Sequence, residues 1–467
     1  MTQTSGEIAK LARSYREDPA QILRQTQLSL LKAEAAVELF SALSAIDPEG
    51  SQRSAAESAR RYEMGQEKGL LDGIPVTVKD SFHVKGLPRW HGSAVHRGAL
   101  STFDSAPVQR LREAGAVIIG KTSMPDFGML AAGLSSQFGI IRNPWDPDLS
   151  PGGSSAGAGA SLASGVTAVS LGTDIAGSVR LPAAHCGLAS LKPTQGRIAY
   201  APASMMRSAG PMARYMADVR HLLRVVGGPD RSDPWCLPPM VQADGTDLPE
   251  TTGRSVAVVR RMGYGPDLDE DTSRVLDETA DALRESGFDL TAIELDVSML
   301  EFESLDRVLQ VKAYTEMKAA EQEARHRLLP AVGQWCAPAA SLKATSYAAD
   351  NDTIMATVAR ITELTRKFDY LLLPVMPVHS FPAHAWGPGS DGPLLLHAMF
   401  TAWFNQTGQP AAVVPGGTAA ATGLPVGVQI VGRRFDDEGT MRMARIIEEI
   451  RRIDLNFPFI SLSEARS

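Results

Sequence analysis

The sequence predicts an α/β protein that folds as a single large domain, with a β-sheet covered by helices. Two observations lead to this fold class. Short β-branched segments alternate with amphipathic segments along the whole chain, and no internal repeat interrupts the alternation. The chain also has 467 residues, 44% of them hydrophobic and 21% charged, which is an ordinary globular balance with enough length for a large core.

Residues 1–68 are predicted to form a helical N-terminal segment that packs on the body of the domain. Leu23, Leu30 and Val37 recur at heptad spacing, which is typical of a helix with one apolar face. Further apolar residues widen this stripe, namely Leu31, Phe40 and Leu43.

Residues 70–225 are predicted to form the part of the core that carries the site. This part opens with the β-branched run Ile-Pro-Val-Thr-Val, which favours a strand and ends at Lys79. Its other predicted elements are a helix at 106–114, a strand at 116–119 and a strand at 167–174.

Residues 230–365 are predicted to be a variable α/β segment, and residues 366–467 to supply further core strands and helices. The stretch 228–254 is rich in Pro, Gly and Asp, which indicates an exposed loop. The alternation then resumes with a strand at 255–263, a helix at 271–287, and strands at 288–296, 368–377, 411–417 and 427–433.

Composition excludes several classes of partner. The net charge of −7 is spread along the chain without a long basic run, so no nucleic-acid partner is expected. The N-terminus lacks the apolar stretch of a signal peptide, and the longest nearly apolar run, 371–378, is too short to span a bilayer. Cys186, Cys236 and Cys336 are too scattered for a disulfide framework. We therefore expect a cytoplasmic protein with free thiols and no membrane partner.

Two segments resemble nucleotide-binding motifs, but their residues do not suit nucleotide binding. Residues 115–122, GAVIIGKT, match the phosphate-loop pattern, but the middle residues Ala, Val, Ile and Ile favour an extended strand. Gly157 and Gly159 begin a dinucleotide fingerprint, yet Leu162 stands where the third glycine is needed. No cofactor is therefore predicted.

The histidines do not suggest a metal site or a Ser-His-Asp triad. His91/His96 and His379/His384 are spaced five apart, whereas helical ligand pairs are usually four apart. No histidine completes a recognisable triad order, and G-x-S-x-G is absent.

The most informative segment is 151–194, in which small residues precede two groups of serines. Gly152 and Gly153 precede Ser154, and the run GTDIAG precedes Ser178. Small residues allow a tight turn in which several backbone N–H groups point at one spot. Such a spot beside a hydroxyl suits acyl transfer, because the tetrahedral intermediate carries negative charge on oxygen. A flexible linker is the alternative, but apolar strand-like runs bracket this segment.

These motifs resemble the amidase signature family. The matching elements are GGSS (152–155), GTD-x-x-GS-[IV]-R (172–180), PAA-x-CG-x-x-x-LKPT (182–194), GIPVTVKD (73–80), LREAGAVIIGKTSMPDFG (111–128), RNPWDP (142–147), GPMAR (210–214) and LPVGVQIVG (424–432). The resemblance covers most of the chain and is weakest over 230–365 and the first sixty residues. It implies the amidase signature fold, one α/β domain with a mixed β-sheet core covered by α-helices, and amide hydrolysis.

The resemblance also implies the roles of individual residues. Ser178 corresponds to the nucleophile, Ser154 to a serine held on a cis peptide bond, and Lys79 to the base. The family's oxyanion hole maps onto the backbone N–H groups of Ile175, Ala176, Gly177 and Ser178. Ala176 departs from the family pattern, in which glycine is common at this position, but it keeps a backbone donor.

Elementary chemistry supports these roles. A serine hydroxyl is a poor nucleophile until a base removes its proton, and a lysine can serve only when it is neutral. Burial of Lys79 among apolar strands would lower its pKa. Ser154 would then pass the proton from Ser178 to Lys79, and Ser155 is expected to orient this network.

The charged neighbours of these residues are expected to be structural. Asp174 and Arg180 flank the nucleophile, and we predict that they form a pair that braces its loop. Asp80 is expected to point away from Lys79, because contact with a carboxylate would keep the ammonium charged.

Judging from where the family's pockets lie, segments 124–133 and 397–406 are expected to face the acyl chain of the substrate. They offer apolar side chains without fixed charge, namely Met129, Leu130, Phe400, Trp403 and Phe404. The alternative for the last three is the buried stripe of a helix. The predicted substrate is therefore a small apolar or aryl amide that releases ammonia or an amine, and the candidate assembly is a homodimer.

Three other functions are alternatives. The glutaminase component of a tRNA-dependent amidotransferase, its A subunit, has the same triad, but it works in a complex and must hold the ammonium and carboxylate of glutamine. The apolar segment 394–417 favours a free-standing amidase over such a component. An ester or hydrazide hydrolase is chemically close and fits the same residues. A non-catalytic scaffold would have lost the reacting residues, all of which are present.

Overall fold

The computed structural model describes residues 6–240, 253–389, 393–461 and 463. These residues form a single domain around a mixed sheet of 11 strands flanked by helices, which confirms the predicted fold class. Part of the predicted loop at 228–254 lies outside the described residues, and its first part, up to residue 240, contains no helix or strand.

The N-terminal segment is largely helical, as predicted, but it includes one strand. Its elements are helix α1 (Glu7–Glu17), helix α2 (Ala20–Phe40), strand β1 (Leu43–Ile46) and helix α3 (Pro48–Glu63). The predicted stripe on α2 is only partly buried: Leu30 and Phe40 are in the core, whereas Leu23 is 45% and Val37 38% exposed. Leu43 belongs to β1, because the helix ends at the left-handed Ser41.

The middle of the chain alternates strands and helices. Its elements are strand β2 (Pro75–Lys79), helix α4 (Ala106–Glu113), strand β3 (Val117–Thr122), the short strands β4 (Leu134–Ser135) and β5 (Gly139–Ile140), helix α5 (Ala156–Ala163), strand β6 (Val169–Asp174), helix α6 (Arg180–Cys186), strand β7 (Ala189–Lys192), strand β8 (Ser208–Ala213) and helix α7 (Met216–Val226).

The rest of the chain continues the sheet and covers it. Its elements are strand β9 (Ser255–Val259), helix α8 (Glu270–Glu285), strand β10 (Asp289–Ile293), helix α9 (Met299–Ala319), helix α10 (Pro330–Cys336), helix α11 (Ala344–Thr365), strand β11 (Tyr370–Pro374), helix α12 (Met399–Gln406), strand β12 (Ala411–Thr418), strand β13 (Pro425–Gly432) and helix α13 (Asp437–Arg451).

The order of strands in the sheet is β1-β3-β2-β6-β8-β7-β12-β13-β11-β9-β10. Strand β2 pairs in parallel with β3 on one side and with β6 on the other. The carboxyl ends of β2 and β6 therefore lie at the same edge, so Lys79, at the end of β2, lies close to the residues that follow Asp174 at the end of β6.

Apolar cores cover both faces of the sheet. Strand β11 shows this alternation, because Leu372 belongs to one hydrophobic cluster whereas Leu371 and Leu373 belong to the other. On β2, Val76 and Val78 join the first cluster. A strand that is buried on both faces appears in the sequence as a nearly continuous run of apolar residues. This explains why these strands could be predicted from the sequence.

The segment 115–122, which resembles a phosphate loop, consists of the buried strand β3 and the two residues before it. Its β-branched residues predicted this extended conformation. Cys186, Cys236 and Cys336 are free thiols. Across the described ranges, no helix is long and apolar enough to cross a membrane.

Candidate active site

Lys79 is fully buried, and its amino group contacts two serines. Its Nζ lies 2.8 Å from Ser154 Oγ, 2.9 Å from Ser155 Oγ and 3.3 Å from the Thr173 carbonyl oxygen, and its exposure is 0%. Within the described ranges, no carboxylate lies within ion-pair distance of Lys79. Lys79, Ser154 and Ser155, which sequence analysis placed in one proton-transfer network, are therefore together in space.

The electrostatic surroundings disfavour the ammonium form of Lys79. Burial is the main cause, and the charge of Arg207 lowers the pKa of Lys79 further, while Asp174 and Asp80 oppose these effects. The net result is a pKa well below the usual value of a lysine. Lowering the pKa favours the neutral amine, which is the form of a lysine that can accept a proton.

Ser154 sits on a cis peptide bond immediately before α5. The bond is between Gly153 and Ser154, and the next residue, Ser155, donates its backbone N–H to the Ser178 carbonyl oxygen at 3.0 Å. This hydrogen bond ties the Ser154 segment directly to the turn that carries Ser178. Ser155 also donates its hydroxyl to the Thr173 carbonyl oxygen at 3.3 Å, so it connects Lys79 to the end of β6.

Ser178 lies in a turn between β6 and α6 and is 6% exposed. Its hydroxyl has no hydrogen-bond partner among the described residues. The backbone N–H groups of Ile175, Ala176 and Ser178 are likewise unpaired within the described chain, although all three residues are nearly buried. Buried N–H groups without partners are rare in folded proteins, so this cluster of three is a candidate site for an anionic oxygen.

Gly177 differs from the predicted oxyanion hole. Its N–H donates to Asp174 Oδ1 at 2.7 Å, so this donor is already engaged within the protein. The physical reason is that the Asp174 carboxylate turns back under the loop and also accepts the Val179 N–H at 3.2 Å. The available donors are therefore those of Ile175, Ala176 and Ser178.

Asp174 and Arg180 form a fully buried, bidentate ion pair. Arg180 Nε lies 3.0 Å from Asp174 Oδ2, and Arg180 Nη2 lies 2.9 Å from Oδ1. Burial alone would raise the pKa of Asp174, but the charge and hydrogen bonds of Arg180 hold it well below its usual range. This geometry supports a bracing role for the pair.

Three residues that sequence analysis did not identify complete this network. Arg180 Nη1 donates to the Thr401 carbonyl oxygen at 3.0 Å and to Gln429 Oε1 at 2.7 Å, and Nη2 donates to Asn405 Oδ1 at 2.7 Å. The Thr401 hydroxyl donates to the Ala176 carbonyl oxygen at 2.6 Å. Helix α12 and strand β13 thus fix the loop that carries the unpaired N–H groups.

Asp80 points away from Lys79 and forms an ion pair with Lys121 on the neighbouring strand β3. Lys121 Nζ lies 3.0 Å from Asp80 Oδ1, and both side chains are fully buried. Gly92 also donates its N–H to Asp80 Oδ2 at 2.9 Å. The lysine of the nucleotide-like pattern therefore has a structural partner in the fold.

Four of the residues predicted to line an apolar pocket are buried in the hydrophobic core. On α12, Phe400 is 1% exposed, and Trp403 and Phe404 are 0% exposed, within one hydrophobic cluster. Trp403 Nε1 donates to the Tyr264 hydroxyl at 3.0 Å, which fixes its ring in the core. The three aromatic residues thus match the alternative interpretation, the buried stripe of a helix. Leu130 is 1% exposed and belongs to the same cluster.

Met129 does line a cavity, with a volume of about 430 Å³. Charged side chains contribute to its wall, whereas the predicted pocket had no fixed charge. The charged lining residues are Arg89, Arg207, Lys312 and Glu316. Such a set could not be predicted from the apolar segments at 124–133 and 397–406, because none of the four residues belongs to them.

The described residues contain no cluster of three or more His, Cys, Asp or Glu side chains that could hold a metal ion. His91 and His96 both contact Glu316, the second at 3.9 Å, and His379 lies 2.7 Å from Asp269 Oδ2.

Comparison with known proteins places this chain in one enzyme class, the hydrolases that act on amide carbon–nitrogen bonds. The amidase family model matches residues 24–441, and the chain belongs to the amidase family.

Individual relatives fall into two groups. The chain is 32% identical to the A subunit of glutamyl-tRNA(Gln) amidotransferase from Anaeromyxobacter dehalogenans over 468 aligned positions, which cover 92% of this chain and 93% of that protein. The structure of the corresponding A subunit from Thermotoga maritima is 26% identical with a TM-score of 0.76, covering 95% of this chain and 96% of that one. A bacterial aryl acylamidase of the amidase signature family is 23% identical with a TM-score of 0.88, covering 96% of each chain, which shows the shared fold.

Proposed function

We propose that this enzyme hydrolyses an amide through an acyl-enzyme on Ser178, with Ser154 as the proton relay and Lys79 as the base. The observation that carries this proposal is the contact of 2.8 Å between Lys79 Nζ and Ser154 Oγ at a buried position without a carboxylate partner among the described residues. A neutral lysine bonded to a serine hydroxyl can receive a proton through that hydroxyl.

In the first half of the reaction, Ser178 Oγ attacks the amide carbonyl carbon as its proton passes to Ser154 and the proton of Ser154 passes to Lys79. The former carbonyl oxygen becomes an oxyanion that accepts hydrogen bonds from Ile175, Ala176 and Ser178 N–H. The carbon–nitrogen bond then breaks, and Lys79 returns a proton through Ser154 to the leaving nitrogen. In the second half, water attacks the ester of Ser178 along the same relay and releases the acid.

The substrate is a small amide, and no cofactor is required by this chemistry. The expectation of an apolar or aryl acyl group rested on Phe400, Trp403 and Phe404, which are buried in the core, and it stays a prediction. An ester or hydrazide would follow the same steps, since only the leaving group differs.

A second candidate is the glutaminase component of a tRNA-dependent amidotransferase. Two observations favour it: the identity of 32% to an amidotransferase A subunit over 92% of the chain, and the cationic side chains of the cavity at Met129, which suit a carboxylate. In that case the enzyme would act with other subunits and would pass ammonia to one of them.

The catalytic proposal is tested by treating the protein with a fluorophosphonate and locating the adduct by peptide mass spectrometry. We expect an adduct on Ser178, which Ser178→Ala abolishes together with turnover. Ser341→Ala is the matched control, because Ser341 is an exposed serine that bonds only to the Pro338 carbonyl oxygen. An adduct confined to another serine, or full turnover by Ser178→Ala, would contradict the assignment.

The two candidate functions are separated by measuring ammonia release from glutamine and from small neutral amides by the isolated chain. Hydrolysis of several amides by the chain alone favours the free-standing amidase. Glutaminase activity that rises when other subunits co-purify with the tagged chain favours the second candidate.

A further inference from the structure

The cavity that Met129 lines lies next to Ser154. Arg207, on its wall, donates from Nη2 to the Phe127 carbonyl oxygen at 3.4 Å. A Cβ placed on Gly128 would lie 3.1 Å from Ser154 Oγ. The same three-residue segment, Phe127–Met129, therefore contacts both the relay serine and the cavity.

The cationic side chains of this cavity have no carboxylate partners. Within the described parts of the chain, Arg89, Arg207 and Lys312 take part in no ion pair. Arg89 uses Nε to donate to the Ser81 carbonyl oxygen at 2.9 Å, and its terminal nitrogens remain available. A guanidinium has five N–H donors, so each arginine keeps most of its hydrogen-bonding capacity.

Arg207 is held in place by weak contacts, and Glu316 is the cavity carboxylate whose charge acts on it. Its Nη1 lies 3.5 Å from His91 Nε2, and its guanidinium carbon lies 5.9 Å from the centre of the Tyr200 ring. These contacts orient the guanidinium without neutralising it. The positive charge of Arg207 also acts on the triad, since it lowers the pKa of Lys79.

Glu316 is the carboxylate among the cavity residues, and its oxygen is already bound by His91 Nδ1. Burial lowers the pKa of His91 to about 4, so the imidazole is neutral at pH 7 and donates a hydrogen bond. Although burial would raise the pKa of Glu316, its contacts with His91 and the charges of Arg207 and Arg89 hold it below its usual range. The cations of the cavity therefore outnumber its single carboxylate.

From this geometry we infer that the cavity binds a carboxylate on the substrate, so that the enzyme selects amides whose acyl part ends in a negatively charged group. The inference rests on the proposed acyl-enzyme at Ser178. Arginine forks bind carboxylates with two parallel hydrogen bonds, and Arg207 and Arg89 are the residues that supply them. Monoamides of dicarboxylic acids belong to this class, and glutamine also carries a carboxylate.

The test compares two substrates of equal shape that differ in charge, succinamate and succinamide, together with the pair one methylene longer, glutaramate and glutaramide. For the anion that fits the cavity better, we expect kcat/KM for ammonia release to be about ten- to a hundredfold higher than for the diamide of the same length. This is the scale of one hydrogen bond to a charged group. Arg207→Gln and Arg89→Gln should remove most of this preference, so that the ratio of kcat/KM for the anion to kcat/KM for the neutral amide approaches one. Arg97→Gln, at an exposed arginine, is the matched control.

Rates are compared at a pH where kcat/KM has reached its plateau, because Arg207→Gln also raises the pKa of Lys79. Binding is measured separately by isothermal calorimetry in the Ser178→Ala background, where no turnover occurs. There the anions should bind more tightly than the neutral amides, and Arg207→Gln should abolish the difference.

Equal or weaker binding of both anions, including no binding at all, would overturn the inference, as would an Arg207→Gln variant that keeps the full preference for them. Failure of the catalytic proposal has a different signature, namely the absence of a fluorophosphonate adduct on Ser178.

Discussion

Asn405 and Asp174 are bound to each other across more than two hundred residues of chain. The Asn405 side-chain amide donates to Asp174 Oδ1 at 3.0 Å and to the Asp174 carbonyl oxygen at 3.1 Å, and both residues are fully buried. Asp174 Oδ1 in turn accepts the Gly177 N–H. Through these bonds, helix α12 determines the position of the loop on which the proposed oxyanion hole lies.

The first prediction concerns this contact. Asn405→Ala removes the donor and leaves buried acceptors on Asp174 and a donor on Arg180 unsatisfied, which should lower the free energy of unfolding by about 1–3 kcal/mol. Because the loop then shifts, kcat should fall on the order of tenfold to a hundredfold with a smaller change in KM. Urea unfolding and steady-state kinetics measure the two effects.

Asn351→Ala serves as its control, since Asn351 is a partly exposed residue of α11 whose side-chain amide donates to the Tyr347 carbonyl oxygen of the same helix. A folded Asn405→Ala variant with unchanged kcat would show that α12 does not position the loop.

The second prediction follows from the lowered pKa of Lys79. The neutral amine is the active form, and it predominates above its pKa, so kcat/KM should rise with pH through one ionisation below about 10.4 and then level off. Lys79→Ala should lose several orders of magnitude in kcat while circular dichroism shows a folded protein.

Lys85→Ala, at an exposed position, should keep the wild-type pH profile. If folded Lys79→Ala protein retained both the rate and the profile, the relay would have to use another base.

The third prediction concerns Gly177, whose φ is +126°. A Cβ at this position would lie 2.3 Å from Thr401 Oγ1, and L-residues rarely adopt this backbone conformation. Gly177→Ala should therefore displace the loop and lower kcat on the order of a hundredfold, the scale on which one oxyanion donor acts. Steady-state kinetics, with the thermal midpoint as a check on folding, provide the measurement.

Gly139→Ala separates the steric clash from the backbone strain. Gly139 also has a positive φ, +70°, but no atom lies within 4 Å of a Cβ placed there. We expect this control to change stability slightly and to leave kcat unaffected. Wild-type kcat in Gly177→Ala would mean that the loop tolerates the displaced backbone.

The fourth prediction distinguishes a core residue from a pocket residue. Trp403 is fully buried and bonded to Tyr264, so Trp403→Ala should lower the free energy of unfolding by about 3–5 kcal/mol. Relative kcat/KM values for short and long acyl amides should stay unchanged in the remaining folded protein. Chemical denaturation and a substrate panel test this.

Trp235→Ala is the matched control, because Trp235 is 54% exposed. A Trp403→Ala variant of normal stability but altered acyl preference would restore the pocket interpretation.

Much of the fold follows from local sequence. Strands such as β2 and β11 are buried on both faces, so their β-branched runs identify them without knowledge of their neighbours. Lys79, Ser154 and Ser178 lie within motifs that the sequence displays directly. The serines are also close in the chain, and the parallel pairing of β2 with β6 brings the lysine to them.

The rest depends on contacts that a single sequence does not display. The buried face of α2 is set by what it packs against, and so Leu23 and Val37 are exposed despite their heptad spacing. Asn405 is an ordinary polar residue in the chain and becomes important only beside Asp174. The cavity likewise draws Arg89, Arg207 and Lys312 from three distant segments, and no local pattern connects them.

Lys79, the last residue of β2, and Asp80 directly after it have opposite surroundings, because successive side chains of an extended chain point to opposite faces of the sheet. Lys79 contacts the serines, whereas Asp80 contacts Lys121. A shift of this strand by one residue would therefore place an acid where the base now stands and leave Lys121 without its counter-charge. A change in the length of β2 should therefore be tolerated only where Lys79 keeps both its place beside the serines and its face of the sheet.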